Sequence, residues 1–296
     1  IEQSKAVSIP PDREIIHIIP QEFLVDEQDG IKDPLGMSGI KLEVNVHIVT
    51  SATTSVQNLR TCISRAGIEI EQIVLNQIAA SAAILTHDEM ELGVGLIDVG
   101  GGTTEMAIFE RGSLWYTSII PIGGDNFTND IAVGLRTPIP EAEKIKKKFG
   151  CVSSPLMDEQ ETIEVPSVGR GKKPRILSRQ LLADIIQPRA EEIFRLVDND
   201  IKRMGYEKSL NSGIVLTGGT ALLEGLEEVA EEIFDLPVRR GDPSRIGGLV
   251  DRVNTPDYAT SVGLIIYGYK QWKEKGLSKD RKKGIFVKLK DWLKEA

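Results

Sequence analysis

Residues 41–50 read KLEVNVHIVT, with Leu42, Val44, Val46 and Ile48 alternating with Lys41, Glu43, Asn45 and His47. A period of two sends successive side chains to opposite faces of an extended chain, so the pattern predicts a half-buried strand. Residues 13–25 (REIIHIIPQEFLV) are rich in β-branched and apolar side chains and predict another strand, followed by a polar loop over 26–39 punctuated by Gly and Pro. After Ser51 the spacing becomes helical: Val56, Leu59, Cys62 and Ile63 recur at helical intervals, Ser and Thr stand ready to cap, and Gly67 supplies the stop. Residues 13–67 thus predict strand, strand, helix.

Small residues dominate 76–85 (NQIAASAAIL) and recur in 257–272 (DYATSVGLIIYGYKQW), predicting two helices, the first able to approach another helix closely. Between them, residues 93–135 predict a strand, a glycine turn, a second strand, a turn at Arg111-Gly112, a third strand and a helix. A charged helix is expected over 138–150, then short strands in ETIEVPSV and PRILS around a basic GRGKK turn. Apolar residues recur at 3.6 spacing over 179–205, predicting a long helix that Pro188 restarts or kinks and Gly205 ends. Residues 212–234 repeat the logic of buried strand, glycine pair and amphipathic helix, and VRRGDPSRIGGL reads as strand and loop. No period on the order of 20 to 50 residues repeats, which sets solenoids and propellers aside.

The 296 residues suit two domains on a prior of about 150 residues each. Cys62 and Cys151 match no zinc or redox spacing, which argues against a disulfide scaffold and for a reducing, cytoplasmic address. No apolar run approaches the roughly 20 residues of a membrane span, and the opening IEQSKAVSIPPDR lacks the apolar core of a signal peptide. A first residue of Ile rather than Met suggests a cut N-terminus. The net charge of −8 hides an asymmetry: residues 270–296 hold ten basic and four acidic residues, so the rest of the chain carries −14. Such an acidic body disfavours nucleic acid as a partner.

Two glycine-rich segments are candidates for chemistry. In LIDVGGGTTEMAIF (96–109) Gly100, Gly101 and Gly102 are expected to take positive φ and turn their N–H groups toward one point, a geometry that binds phosphate. Thr103 and Thr104 add hydroxyls, and Asp98 stands where it can organise Mg²⁺ through water. The plain alternative is a hairpin turn with surplus glycine. In VLTGGTALLEGL (215–226), Gly218, Gly219 and Thr220 follow a buried strand and open a helix, where a ribose or phosphate can lie against backbone. A tight turn explains this segment equally well. Neither fits the Rossmann or Walker A spacing, which disfavours a dinucleotide dehydrogenase and a P-loop NTPase.

The terminal GIFVKLKDWLKEA (284–296) is the third candidate. At 100° per residue, Ile285, Phe286, Leu289, Trp292 and Leu293 fall in one arc of about 120°, with Lys288, Lys290, Asp291 and Lys294 outside it. Lys279, Arg281, Lys282 and Lys283 precede it, so the segment predicts an amphipathic helix on an anionic membrane surface. Docking in a protein groove, or on its own domain, is the rival reading. Val287 sits off the apolar arc without explanation.

IDVGGGTT, IVLTGGTALLEGL and the small-residue segments NQIAASAA and YATSVGLIIYG resemble, in order, the phosphate-2 motif, adenosine motif and connecting helices of the actin, Hsp70 and sugar-kinase superfamily. The wording of IPPDREIIHIIPQEF, GIKDPLGMSGIKLEVNVHIVT, IPIGGDNFTNDIAVGL and IIQPRAEEIF is similar to the bacterial cell-division FtsA family. The resemblance covers essentially the whole chain. It implies an α/β, actin-like (ribonuclease H-like) two-lobed ATPase fold with an FtsA-type 1C subdomain, N-terminally incomplete. Implied segments are a partial 1C (1–72), a 1A connecting helix (73–94), 2A (95–137), 2B (138–208), 2A again (209–254), a second 1A helix (255–272), a basic linker (273–283) and the amphipathic helix (284–296).

The same resemblance implies ATP and Mg²⁺ as cofactors, with at most slow hydrolysis. Gly101, Gly102, Thr103 and Thr104 would wrap the β and γ phosphates, with Gly100 in the same turn, and Asp98 would act through metal or water. Gly218, Gly219 and Thr220 would meet the nucleoside, with Arg189 and Glu192 as further contacts or else as an ion pair. The superfamily's first phosphate loop, Asp-x-Gly-Thr, is absent from residues 1–95, so weak or no nucleotide binding is expected of this span. Implied partners are the C-terminal peptide of tubulin-like FtsZ, further copies in a filament, other division proteins and the anionic cytoplasmic face of the membrane. Arg179, with Lys172, Lys173 and Arg175 beside it, would attract the acidic peptide. A PilM-like pilus adaptor or a sugar-kinase-type enzyme are the alternatives. A chaperone of the Hsp70 type fails on length, and Cys62, Cys151, His17, His47 and His87 receive no chemical role.

Overall fold

A computed structural model describes residues 7–152, 161–168, 173–243, 247 and 250–274. The proposed membrane residues Ile285, Phe286, Lys288, Leu289, Trp292 and Leu293, and Lys172, lie outside them. The chain opens with strands β1 (Arg13–Val25), β2 (Gln28–Ile31) and β3 (Leu42–Ala52), an antiparallel sheet of order β2-β1-β3, then helix α1 (Thr53–Arg65). Strand β2 lies where the pattern predicted only loop. Asp26 and Glu27 take positive φ of 49° and 72°, reversing the chain so that Val25 pairs with Gln28. The Asp26 carboxylate then accepts from the N–H groups of Ile40 (2.9 Å) and Lys41 (2.8 Å), tying down the return.

Next come α2 (Asn76–Ile84), α3 (His87–Leu92), β4 (Val94–Val99), β5 (Thr104–Glu110), β6 (Ser113–Ile120), α4 (Gly124–Gly134) and α5 (Ile139–Phe149). The pair β7 (Thr162–Val165) and β8 (Arg175–Ser178) leads into α6 (Arg179–Met204), which runs unbroken through Pro188 and ends on Gly205 in the left-handed region. Then follow β9 (Ile214–Thr217), a 3-10 turn (Gly219–Leu222), α7 (Leu226–Phe234), β10 (Val238–Arg240), α8 (Val250–Val253) and α9 (Ala259–Glu274). Helix α3 was not anticipated, yet it carries a capping box: Thr86 Oγ1 accepts from the Glu89 N–H at 3.1 Å, and Glu89 Oε2 from the Thr86 N–H at 2.7 Å.

The five-stranded sheet has the order β10-β9-β4-β5-β6, with β10, β9 and β4 parallel and β5 and β6 antiparallel. Its strands feed two cores by simple alternation. Ile97, Val99, Met106, Ile108, Ile214 and Leu216 face α4, α5, α6 and α7, while Val94, Leu96, Ala107, Phe109 and Val215 face the α2–α9 pair. Both faces being covered explains why these strands read as continuous apolar runs. As the small residues predicted, α2 and α9 meet closely: a Cβ on Gly263 would lie 1.8 Å from the Ala79 carbonyl oxygen. Among the described residues no helix is long and apolar enough to cross a membrane.

Candidate functional site

Strand β4 delivers Asp98 to its C-terminal end, and β4 and β5 join through a tight turn in which the Gly100 N–H donates to the Thr103 carbonyl at 2.9 Å. The expectation of positive φ at Gly100, Gly101 and Gly102 is not met, since none of them adopts it. What glycine provides here is bare backbone. A Cβ on Gly102 would have nothing within 4 Å, and one on Gly101 only Asp125 Oδ1 at 3.8 Å. Gly101 and Gly102 are exposed, and among the described residues no group accepts from their N–H groups. Unpartnered N–H groups on an open turn are donors for an anion.

The turn sits on the N-terminus of α4. The Gly124 and Asp125 N–H groups donate to the carbonyls of Gly100 and Gly101, both at 2.8 Å, while the Asn126 side chain accepts from the Gly123 N–H at 3.0 Å. Gly123 is obligatory, because a Cβ there would come within 2.8 Å of Gly100, Gly101 and Thr103 backbone atoms. Thr103 keeps its hydroxyl at the site's edge, donating to Glu105 Oε1 at 3.4 Å. Thr104 does not reach the site: it is buried and its hydroxyl donates to the Ile122 carbonyl at 2.8 Å, pinning β5 to the segment before α4.

The second glycine segment closes on the first. Gly218 has φ +86°, and a Cβ there would lie 2.3 Å from Asp98 Oδ1 and 2.6 Å from the Val99 carbonyl oxygen. Thr220 Oγ1 donates to the Gly100 carbonyl at 3.2 Å, and Gly219 opens the 3-10 turn. Three glycine-bearing segments, far apart in sequence, thus converge. The structure adds a pair that the pattern did not single out. Lys146 of α5 is buried beneath α4, with Nζ donating to the Gly124 carbonyl and Thr128 Oγ1, both at 2.8 Å, and pairing with Glu143 at 2.7 Å. Burial works against the charge on Glu143, but hydrogen bonds from Lys146 and Thr128 win and hold its carboxyl at about 2.

Asp98 has the opposite balance. Burial, then repulsion from Glu105, raises its carboxyl to about 6, opposed by a hydrogen bond from Thr260. Burial raises Glu105 too, against hydrogen bonds from Asn76 and Thr103. Two crowded carboxylates beside open N–H donors suit a cation held next to an anion. The folded Asp98 keeps its proton to a higher pH than the unfolded chain, so ionisation opposes folding and stability falls as pH rises from about 4 to about 6. A carboxyl raised from its ordinary 3.8 to about 6 sets an upper bound of roughly 3 kcal/mol. Asp98→Asn is therefore expected to raise the melting temperature by roughly 5 °C at pH 8 and to lose that gain near pH 4. Calorimetric scans at both pH values check it, and a lower melting temperature at pH 8 would refute it.

The remaining candidates are committed to protein partners. Arg189 makes a two-pronged pair with Asp130 of α4 (2.7 and 3.1 Å) and also binds Glu192, so it clamps α6 to α4. Arg179, expected to be free for an acidic peptide, donates to the Phe149 carbonyl (2.9 Å), Glu161 (2.9 Å) and Glu224 (2.6 Å), with its side chain 14% exposed. Arg175 donates to the carbonyls of Leu135 and Arg136. Only Lys173 of that basic group, among the described residues, stays exposed with no ion pair.

Comparison with known proteins places this geometry. The family described as cell division protein FtsA matches residues 95–263, and the SHS2 domain inserted in FtsA matches residues 1–50. The chain is 46% identical to the cell division protein FtsA of Pseudomonas aeruginosa over 302 residues, covering 99% of this chain and 72% of that protein. It is 38% identical to its namesake in Escherichia coli K12 over 303 residues, covering 99% and 71%. Among solved structures, MreB5 of Spiroplasma citri bound to ADP superposes with a TM-score of 0.63 at 20% identity, covering 76% of this chain and 68% of that one. The PilM-PilN type IV pilus biogenesis complex gives 0.64 at 16% identity, covering 90% and 70%. These likenesses establish an actin-like fold. A profile over more than half of the chain and close relatives along nearly all of it show that this chain belongs to the FtsA family of actin-like cell-division proteins.

Proposed function

We propose that the chain works as an ATP-binding adaptor that tethers FtsZ filaments to the cytoplasmic face of the membrane during septum assembly. The observation that carries the nucleotide part is the convergence of the Gly100–Thr103 turn, the α4 N-terminus and Gly218–Thr220 around Asp98. On this reading the N–H groups of Gly101 and Gly102 and the Thr103 hydroxyl hold phosphate oxygens, and Asp98 orders Mg²⁺ through water. Gly218, Gly219 and Thr220 border the nucleoside side, with Lys146 and Glu143 fixing the floor. The bound metal would neutralise phosphate charge; Asp98 and Glu105 position what surrounds it, and turnover is slow at most. That the likeness in fold extends to MreB5 solved with ADP and with AMPPNP supports the nucleotide reading.

The membrane part rests on the amphipathic pattern of Ile285, Phe286, Leu289, Trp292 and Leu293 with Lys288 and its basic neighbours. The FtsZ peptide, self-association and other division proteins follow from family membership, with the three-stranded sheet as 1C and residues 138–208 as 2B. Because Arg179 is neutralised by Glu161 and Glu224, Lys173 is the better candidate to meet an acidic peptide there. Liposome co-sedimentation tests the tether: the full chain is expected to pellet with anionic but not neutral vesicles, while a chain ending at Lys275 and Trp292→Glu stay in the supernatant. If the full chain also stays there, the tail is a protein-docking helix and the tether reading falls.

A further inference from the structure

The three-stranded sheet meets the rest of the molecule partly through polar bonds, and one of them fixes the state of a proton. In register His17 of β1 lies opposite Val49 and Ile19 opposite His47, so His17, Ile19 and His47 share one face of the sheet. Ile19 packs against the core under α2 and α9, which turns that face toward the body of the protein. His17 is 9% exposed, and its Nε2 accepts from the Leu75 N–H at 3.1 Å. Leu75 immediately precedes α2, a helix with no side-chain cap. Its carbonyl accepts from the N–H groups of Ile78 and Ala79, both at 3.1 Å, so His17 holds the residue from which α2 starts. Asn76, the next residue, donates to Glu105 Oε1 at 3.4 Å.

A backbone N–H only donates, so His17 Nε2 must present its lone pair, and the neutral ring carries its proton on Nδ1. A second proton, on Nε2, sets two donors against each other in a buried place, and the bond to Leu75 is lost. His47 differs, because its Nε2 faces the Thr117 hydroxyl at 3.1 Å, which accepts as readily as it donates. Residues 73–84 and β6 carry no charged side chain to compensate a second proton on His17. The charged groups of the other neighbouring elements are engaged elsewhere: Arg13 with Thr50 (2.8 Å), Glu14 with Arg60 (3.2 Å), Glu22 with Arg111 (3.4 Å), Glu91 with Lys32, and Glu105 with Asn76 and Thr103. Burial holds the His17 imidazole below its usual 6.5. The released ring therefore takes up a proton more readily than the bound one. The bond is fully present above about 6.5 and weakens as pH falls below it, by up to about tenfold per pH unit.

We propose that His17 is a proton-operated latch between the three-stranded sheet and α2: neutral, it holds the start of the helix, and protonated, it releases Leu75 and with it Asn76 beside Glu105. The test is hydrogen–deuterium exchange of the whole chain at pH 7.5 and pH 5.5, corrected for the intrinsic rates. In the wild type, exchange over 73–79 is expected to be at least about fivefold faster at the lower pH, with 94–99 unchanged. His17→Gln, whose side-chain carbonyl accepts the same N–H and does not titrate, should show no such difference, whereas His47→Gln should keep it. Asp98 and Glu105 titrate in all three proteins, so the contrast between them isolates His17. A second measurement needs no variant: ¹⁵N NMR of the wild-type imidazoles at pH 7.5 should find the His17 proton on Nδ1. Exchange over 73–79 that ignores pH, the same pH dependence in His17→Gln, its loss in His47→Gln, or a proton on Nε2 at pH 7.5 would each overturn the proposal.

Discussion

Gly263→Ala is expected to lower the melting temperature by about 10 °C, whereas Gly268→Ala, one turn and a half further along the same helix, should leave it unchanged or raise it. The new methyl at 263 would sit 1.8 Å from the Ala79 carbonyl oxygen and 2.3 Å from its carbon, and neither can swing aside as a side chain can. The α2–α9 pair must separate, and forced overpacking of this kind costs about 3 kcal/mol, worth roughly 2–4 °C per kcal/mol in a chain of this size. At 268 nothing lies within 4 Å and the residue is exposed, so only helix propensity acts, by up to about 1 kcal/mol in favour of alanine. Differential scanning calorimetry of the two variants decides the matter. Equal melting temperatures would mean that α2 and α9 do not approach as described.

The second large effect belongs to Gly218. Gly218→Ala combines a backbone at φ +86° with a Cβ placed 2.3 Å from Asp98 Oδ1 and 2.6 Å from the Val99 carbonyl oxygen, so both the backbone and the end of β4 must give. A loss of about 2–4 kcal/mol is expected, together with any MgATP affinity that the chain possesses. Gly102→Ala is the informative partner, since nothing lies within 4 Å and its φ is not positive. It should keep the wild-type melting temperature within about 1 °C while weakening nucleotide binding through a methyl on the open turn. Calorimetric titration with MgATP, run on both variants or on a longer chain of the family, separates folding from binding. A Gly218→Ala protein as stable as the wild type would refute the convergence of the two glycine segments.

Where order was legible in the sequence, local patterns were strong. Alternation along Leu42–Ile48 located β3, the Ala and Gly content of 76–85 and 257–272 marked the helices that touch, and the wording around Gly100–Thr104 and Gly218–Thr220 pointed to the segments that meet. What escaped depended on long-range contact or on unusual residues in unusual conformations. Strand β2 needs non-glycine positive φ at Asp26 and Glu27, which composition does not announce. Lys146 lies in a run of charges on a helix expected only to be charged, and only the packing of α4 over it reveals burial. Arg179 looked free because Glu161 and Glu224, which neutralise it, stand 18 and 45 residues away. The positive φ expected at Gly100, Gly101 and Gly102 is missing, and bare backbone is what these glycines contribute to the turn. Helix α3 was readable after all, from Thr86 and Glu89 three residues apart.

Helix α9 carries Thr260, bonded to Asp98, in its first turn and ends at Glu274. At 1.5 Å per residue those two positions are about 21 Å apart along the axis. A swing of about 5° at the Thr260 end therefore carries the Glu274 end sideways by about 2 Å. The Glu274 end of α9 is thus the far tip of a rod whose other end rests on the buried carboxylate.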